Sequence, residues 1–85
     1  YPNPFNPATN IKFEIPKTSN VTLNIFDITG KLVNELYNGY SEPGVYTADF
    51  NGTELASGVY YYELTASTIN GGVVFKDVKK MVIVK

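Results

Sequence analysis

Throughout its 85 residues the chain returns to short runs rich in Val, Ile, Thr, Tyr and Phe, separated by glycine, asparagine and proline clusters. No segment sustains a helical period. β-Branched and aromatic side chains suit a pleated, half-buried surface, so this pattern commits the chain to antiparallel sheet. The cleanest alternation runs from Asn10 to Ile15: Ile11, Phe13 and Ile15 fall on one face, Lys12 and Glu14 on the other, and Pro16 ends the strand. A second strand, Asn20 to Ile28, sends Val21, Leu23 and Ile25 inward before Phe26 and Ile28 take the opposite phase. Either a bulge or burial on both faces would explain that switch.

Thr29-Gly30 turns the chain into a third strand, Lys31 to Tyr37, with Gly30 supplying a positive φ. Asn38 to Gly44, with an Asn-Gly pair and Pro43-Gly44, reads as a surface loop before the strand Val45 to Phe50, which carries Tyr46, Ala48 and Phe50 on one face. Asn51-Gly52 ends that strand, and Thr53 to Gly58 connects to Val59–Ala66. There the charge on Glu63 sets the phase: Tyr60, Tyr62, Leu64 and Ala66 inward, Tyr61 and Glu63 outward. Asn70-Gly71-Gly72 is the strongest hairpin signal, and its return strand, Val73 to Lys85, is long enough to require a break or bulge near Asp77. Six or seven such strands, about seven in all, make an all-β antiparallel two-sheet β-sandwich of the immunoglobulin or fibronectin III type.

The opening, Tyr1-Pro2-Asn3-Pro4-Phe5-Asn6-Pro7-Ala8-Thr9, is extended and semi-rigid, because each proline fixes its own φ and pushes its predecessor out of the helical region. It cannot be a central strand, since its prolines supply no donors. Composition alone allows a linker. Phe5, the one large apolar residue within it, would instead pin residues 1–9 against the sandwich, making 1–85 a single domain.

Seven lysines against eight acids leave a net charge of −1, with no arginine, histidine or cysteine. No basic stripe is present, so nucleic acid is not an expected partner. Disulfides and thiolate metal sites are excluded. The longest uncharged stretch, Leu64 to Phe75, is too short and too polar to span a bilayer, and no signal peptide is visible, as expected of a fragment of a longer chain.

Without histidine or cysteine the usual general bases and nucleophile partners are missing. Ser19, Ser41, Ser57 and Ser67 stand in turn-like or strand-end contexts that explain them as they are. Asp27, Asp49, Glu54, Glu63 and Asp77 show no spacing that would pair two carboxylates for glycoside hydrolysis, and no acidic loop gathers oxygens for calcium. Neither an enzyme nor a cofactor is expected. Tyr37, Tyr40 and Tyr61 are the tyrosines available for a surface role, such as stacking on sugars.

The last run, Lys79-Lys80-Met81-Val82-Ile83-Val84-Lys85, is apolar yet flanked by lysines. It reads equally as an edge strand protected by charged gatekeepers and as a recognition strand offered to a partner by edge pairing, by its lysines or by a terminal carboxylate.

Four blocks in order carry a family resemblance: the opening with Ile11-Lys12-Phe13; Val21-Thr22-Leu23 with Phe26-Asp27-Ile28-Thr29-Gly30; Leu55-Ala56-Ser57-Gly58-Val59-Tyr60-Tyr61-Tyr62; and Lys79 to Lys85. Over essentially its whole length the chain resembles the C-terminal sorting domains of type IX (Por) secretion substrates, found in Bacteroidetes and related phyla. The resemblance implies an Ig-like sandwich, monomeric, behind an upstream cargo domain. It implies passage through the periplasm, recognition by the type IX outer-membrane translocon at residues 79–85, removal by a sortase-like peptidase and attachment of the cargo at the cell surface. Pro2, Asn3, Pro4, Phe5, Asn6, Pro7, Gly30, Gly58, Tyr60 and Tyr62 are then structural. Ser67 to Asp77 is longer than the usual family hairpin. A similar opening occurs on Ig-like modules of flagellar hook-capping proteins and of extracellular enzymes, so a structural or carbohydrate-contacting accessory module is the alternative.

Overall fold

The computed structural model describes residues 9–84. Within them the chain forms six strands and no helix: β1 Thr9–Ile15, β2 Ser19–Asp27, β3 Leu32–Ser41, β4 Gly44–Phe50, β5 Gly58–Ser67 and β6 Val73–Ile83. β1 and β4 make a two-stranded antiparallel sheet, and β3-β2-β5-β6 make a four-stranded one. The all-β, two-sheet antiparallel architecture expected from the alternation is thus present. Six or seven strands were expected, and six are present among the described residues; the proline-rich lead-in lies outside them.

The core forms where the inward phases meet. Ile11, Phe13 and Ile15 of β1 and Ala48 and Phe50 of β4 pack over Val21, Leu23 and Ile25 of β2, with Tyr60, Leu64 and Ala66 of β5 and Ile83 of β6. Val21, Leu23 and Ile25 are wholly buried, each contributing about 1.5–3 kcal/mol of apolar burial. Tyr62 points the same way but stays half-buried at the margin.

Two hairpins share one turn design. Asp27 N–H donates to Lys31 O, Gly30 N–H donates to Asp27 O, both at 2.9 Å, and Gly30 has φ 88°. Thr68 and Gly72 repeat the pattern at 2.7 Å, with Gly71 at φ 90°. This is the three-residue loop in which a type I turn is followed by a left-handed residue, and glycine takes that position without steric cost.

β2 itself keeps a single phase, with Phe26 on the face opposite Val21, Leu23 and Ile25, and the irregularity lies in its pairing with β3. Tyr37 opposes Leu23 and Glu35 opposes Asn24, and a second shift follows between Ile25 and Phe26. Pairing of the same residues with β5 is regular, so the bulges belong to the outer strand β3. Phe26 ends half-buried and Ile28 is exposed in the turn.

Three expectations need correction. Asn38 to Gly44 is not a loop: β3 runs on to Ser41, with Asn38 opposite Thr22 and Gly39 opposite Val21, and only Glu42 and Pro43 separate it from β4. Gly39 keeps a negative φ, so Asn-Gly here serves the ladder, and pairing with the buried β2 overrides the local turn preference. β6 has no break near Asp77, which pairs in register with Leu64; its irregularity lies between Ala66 and Ser67, beside the turn. Tyr37 is not a surface tyrosine. Its ring meets Phe13 edge-on at 5.5 Å, Phe13 stacks on Tyr46 at 5.6 Å, and the Tyr37 and Ser41 hydroxyls lie 2.7 Å apart.

The block Leu55 to Tyr62 forms a corner between the sheets. The Tyr60 hydroxyl donates to Ala56 O at 2.7 Å, tying the start of β5 to the connection before it, as the tyrosine corner of immunoglobulin-like sandwiches does. Gly58 begins β5 with open space where a Cβ would stand.

Candidate functional site

β6 is an outer strand, and among the described residues its only ladder partner is β5. Its register fixes where each residue of the lysine-flanked run points. Tyr62 opposes Lys79, Tyr61 opposes Lys80 and Tyr60 opposes Met81. Directly opposed side chains share a face, so the two adjacent lysines are divided. Lys79 stands on the inner side with Tyr62, and Lys80 stands on the outer side with Tyr61.

The apolar residues divide as well. Ile83 is 3% exposed and half-buried Met81 packs on the core, whereas Val82 is 60% and Val84 55% exposed. Ile83 sits tightly against the turn after β4: a Cβ on buried Gly52 would come within 2.9 Å of Ile83 Cδ1 and 3.2 Å of the Phe50 ring. The run therefore contains an anchor, Met81 and Ile83, and an exposed set, Lys79, Lys80, Val82 and Val84. Lys85 lies outside the described residues, as do Pro2, Asn3, Pro4, Phe5, Asn6 and Pro7.

Beside β6 the inner surface opens into a groove of about 390 Å³. Tyr62, Leu64 and Phe75 of the large sheet line it together with Ile11 and Phe13 of β1, with Asp77 and Lys79 also lining it. Sequence reading missed this feature. It brings β1 beside residues of β5 and β6 that are distant in the chain, and strand order is invisible in periodicity.

Other polar groups serve local structure. One Asp27 carboxylate oxygen accepts from the Thr29 hydroxyl at 2.5 Å, from Thr29 N–H at 2.8 Å and from Lys31 N–H at 3.0 Å. These bonds, led by the Thr29 hydroxyl and then the Lys31 amide, hold its pKa below the ordinary aspartate value. Ser19 is buried and donates to Lys17 O at 2.6 Å. Asp49 accepts from the Asn10 side-chain amide, and Glu63 pairs with Lys76 at 3.4 Å. Among the described residues no three His, Cys, Asp or Glu side chains gather as metal ligands. No helix of the described residues is long and apolar enough to cross a membrane. Tyr40 is exposed and Tyr61 half-buried. With Tyr37 packed on the core, Tyr40 and Tyr61 remain of the three tyrosines read as available for a surface role.

The family model described as "Secretion system C-terminal sorting domain" matches residues 1–84. No curated protein and no solved structure matches the chain. The match takes in the proline-rich opening, the Asp27–Gly30 turn, the tyrosine corner and the lysine-flanked edge strand together, and the chain belongs to the C-terminal sorting domains of the Por (type IX) secretion system.

Proposed function

We propose that the exposed set on β6, within residues 79–85, is what the type IX translocon reads, and that a sortase-like peptidase then separates the domain from its cargo, which is attached at the cell surface. As a member of its family the chain is a non-catalytic C-terminal sorting signal, acting for a cargo domain and directing it to the outside of the cell or its surface. The observation that carries the β6 assignment is the division within one run: Ile83 is locked into the core while Lys79, Lys80, Val82 and Val84 face solvent beside an open strand edge. An edge strand can add a partner strand through its main chain, with alternate side chains giving selectivity. Flanking lysines oppose promiscuous pairing, so the edge favours a partner that answers their charge.

The test is export of a periplasmic reporter fused to residues 1–85 in a host carrying this secretion system. The unaltered fusion reaches the outside. Lys79→Ser with Lys80→Ser leaves the domain folded and retains the reporter in the periplasm; undiminished export of that variant removes the lysines from the signal. Peptidase action is read separately, as separation of reporter from domain after export. An exported fusion that stays uncleaved excludes that step alone.

A further inference from the structure

Three asparagines in the chain are followed by glycine: Asn38-Gly39, Asn51-Gly52 and Asn70-Gly71. Asparagine is a thermolabile residue, and a following glycine has no Cβ to obstruct the approach of its main-chain nitrogen to the asparagine side chain. We propose that Asn70 is a site of spontaneous deamidation in the folded chain, and that the fold protects Asn38 and Asn51 from the same reaction. The Gly71 main-chain nitrogen bonds to Asn70 Cγ and gives up its proton, the Cγ–Nδ2 bond breaks, and Nδ2 leaves as ammonia carrying that proton. Water then adds to the resulting cyclic imide at either of its carbonyls, leaving aspartate or isoaspartate. Either product adds one negative charge to a chain whose formal net charge is −1.

The three pairs differ in what must move before the ring can close. Asn38 and Gly39 lie within β3, opposite Thr22 and Val21, so closure there has to pull consecutive residues out of the ladder. The Asn38 amide also reaches a Glu35 carboxylate oxygen at 3.4 Å. Asn51 is held by its own side chain, whose Oδ1 accepts from Thr53 N–H at 2.9 Å and from the Thr53 hydroxyl. Gly52 is buried against Ile83 and Phe50, and its carbonyl accepts from Leu55 N–H at 2.9 Å. Turning the peptide between Asn51 and Gly52 toward the side chain disturbs that packing and those bonds together. At Asn70 these restraints are missing. Asn70, Gly71 and Gly72 are exposed at the tip of the β5–β6 hairpin, and among the described residues no hydrogen bond holds the Asn70 side chain. The Gly71 N–H donates to Thr68 O at 2.9 Å, so opening the turn alone frees the attacking nitrogen. Exposed turns open locally at far lower cost than core strands, and the reactive state is reached with the core still folded. Aspartate suits such a turn as asparagine does. Isoaspartate instead routes the main chain through an extra carbon, which spoils the spacing that the bonds between Thr68 and Gly71 and between Thr68 and Gly72 require, and so loosens the start of β6.

Peptide mapping by mass spectrometry tests this without reference to secretion, on the chain 1–85 incubated in mildly alkaline buffer, folded and in denaturant. In denaturant the three pairs deamidate at similar rates. In the folded chain Asn38 and Asn51 slow by about tenfold or more, whereas Asn70 stays within about threefold of its denatured rate. Asn70→Gln keeps the amide but sets it one methylene further from the nitrogen, and it removes most of the ammonia that the folded chain releases. Faster reaction at Asn38 or Asn51 than at Asn70 in the folded chain overturns the proposal. So does protection of Asn70 equal to theirs, or ammonia release unchanged in Asn70→Gln.

Discussion

At the scale of single residues the fold depends on a few polar side chains that close its turns. The Asp27 pKa is lowered in the folded chain, so the stability it contributes is present above the unfolded aspartate value, about 3.9, and is lost as pH falls through the folded value. Thermal midpoints should accordingly decline as pH is taken below about 4, and Asp27→Asn should flatten that part of the profile while lowering the midpoint at neutral pH. The Tyr60 hydroxyl is a second such group. Tyr60→Phe keeps the ring in the core but leaves Ala56 O without this donor, an expected loss of about 0.5–1.5 kcal/mol in denaturant unfolding. Gly52 acts through space alone: Gly52→Ala pushes a methyl into Ile83 and Phe50, costing about 1–3 kcal/mol and loosening the end of β6.

Elements show why some of this architecture was legible in the sequence and some was not. Ile11, Phe13 and Ile15 alternate without interruption and are all buried, because a strand with one wet face writes its own phase into the chain. Gly30 and Gly71 mark turns whose backbone demands a positive φ, so the residue type and the geometry agree. Asn38-Gly39 carries a similar signal, yet it stands inside β3. A turn preference is a property of a dipeptide, whereas its fate depends on whether Val21 and Thr22 are there to pair with it. The bulges of β3 and the inward role of Tyr37 were hidden for the same reason, since both depend on contacts between distant segments. In β6 the lysine-flanked run was legible as an edge strand, but its division into anchor and exposed set needed the register. That division has a measurable consequence. Ile83→Ala should cost about 2–5 kcal/mol, whereas Val82→Ser and Val84→Ser should stay within about 0.5 kcal/mol of the unaltered chain. Deleting residues 79–85 outright removes core and surface together, so lost export of such a truncation speaks to folding as much as to recognition.

The whole molecule is a small sandwich whose two sheets are unequal, four strands facing two among the described residues. Among the described residues a groove lies beside β1, and β6 is an outer strand of the larger sheet. β6 buries Ile83 and exposes Val82 on one strand, so the recognition proposed for it would leave the core undisturbed. The most direct test places a photo-crosslinking residue at Val82 in a cargo fusion within the secreting host. Val45, 59% exposed on the other sheet, is the matched control for a surface valine outside β6. Crosslinks to the outer-membrane translocon from position 82 and not from position 45 are predicted. Equal crosslinking from both positions, or none from position 82 while export proceeds, would contradict recognition through the β6 edge.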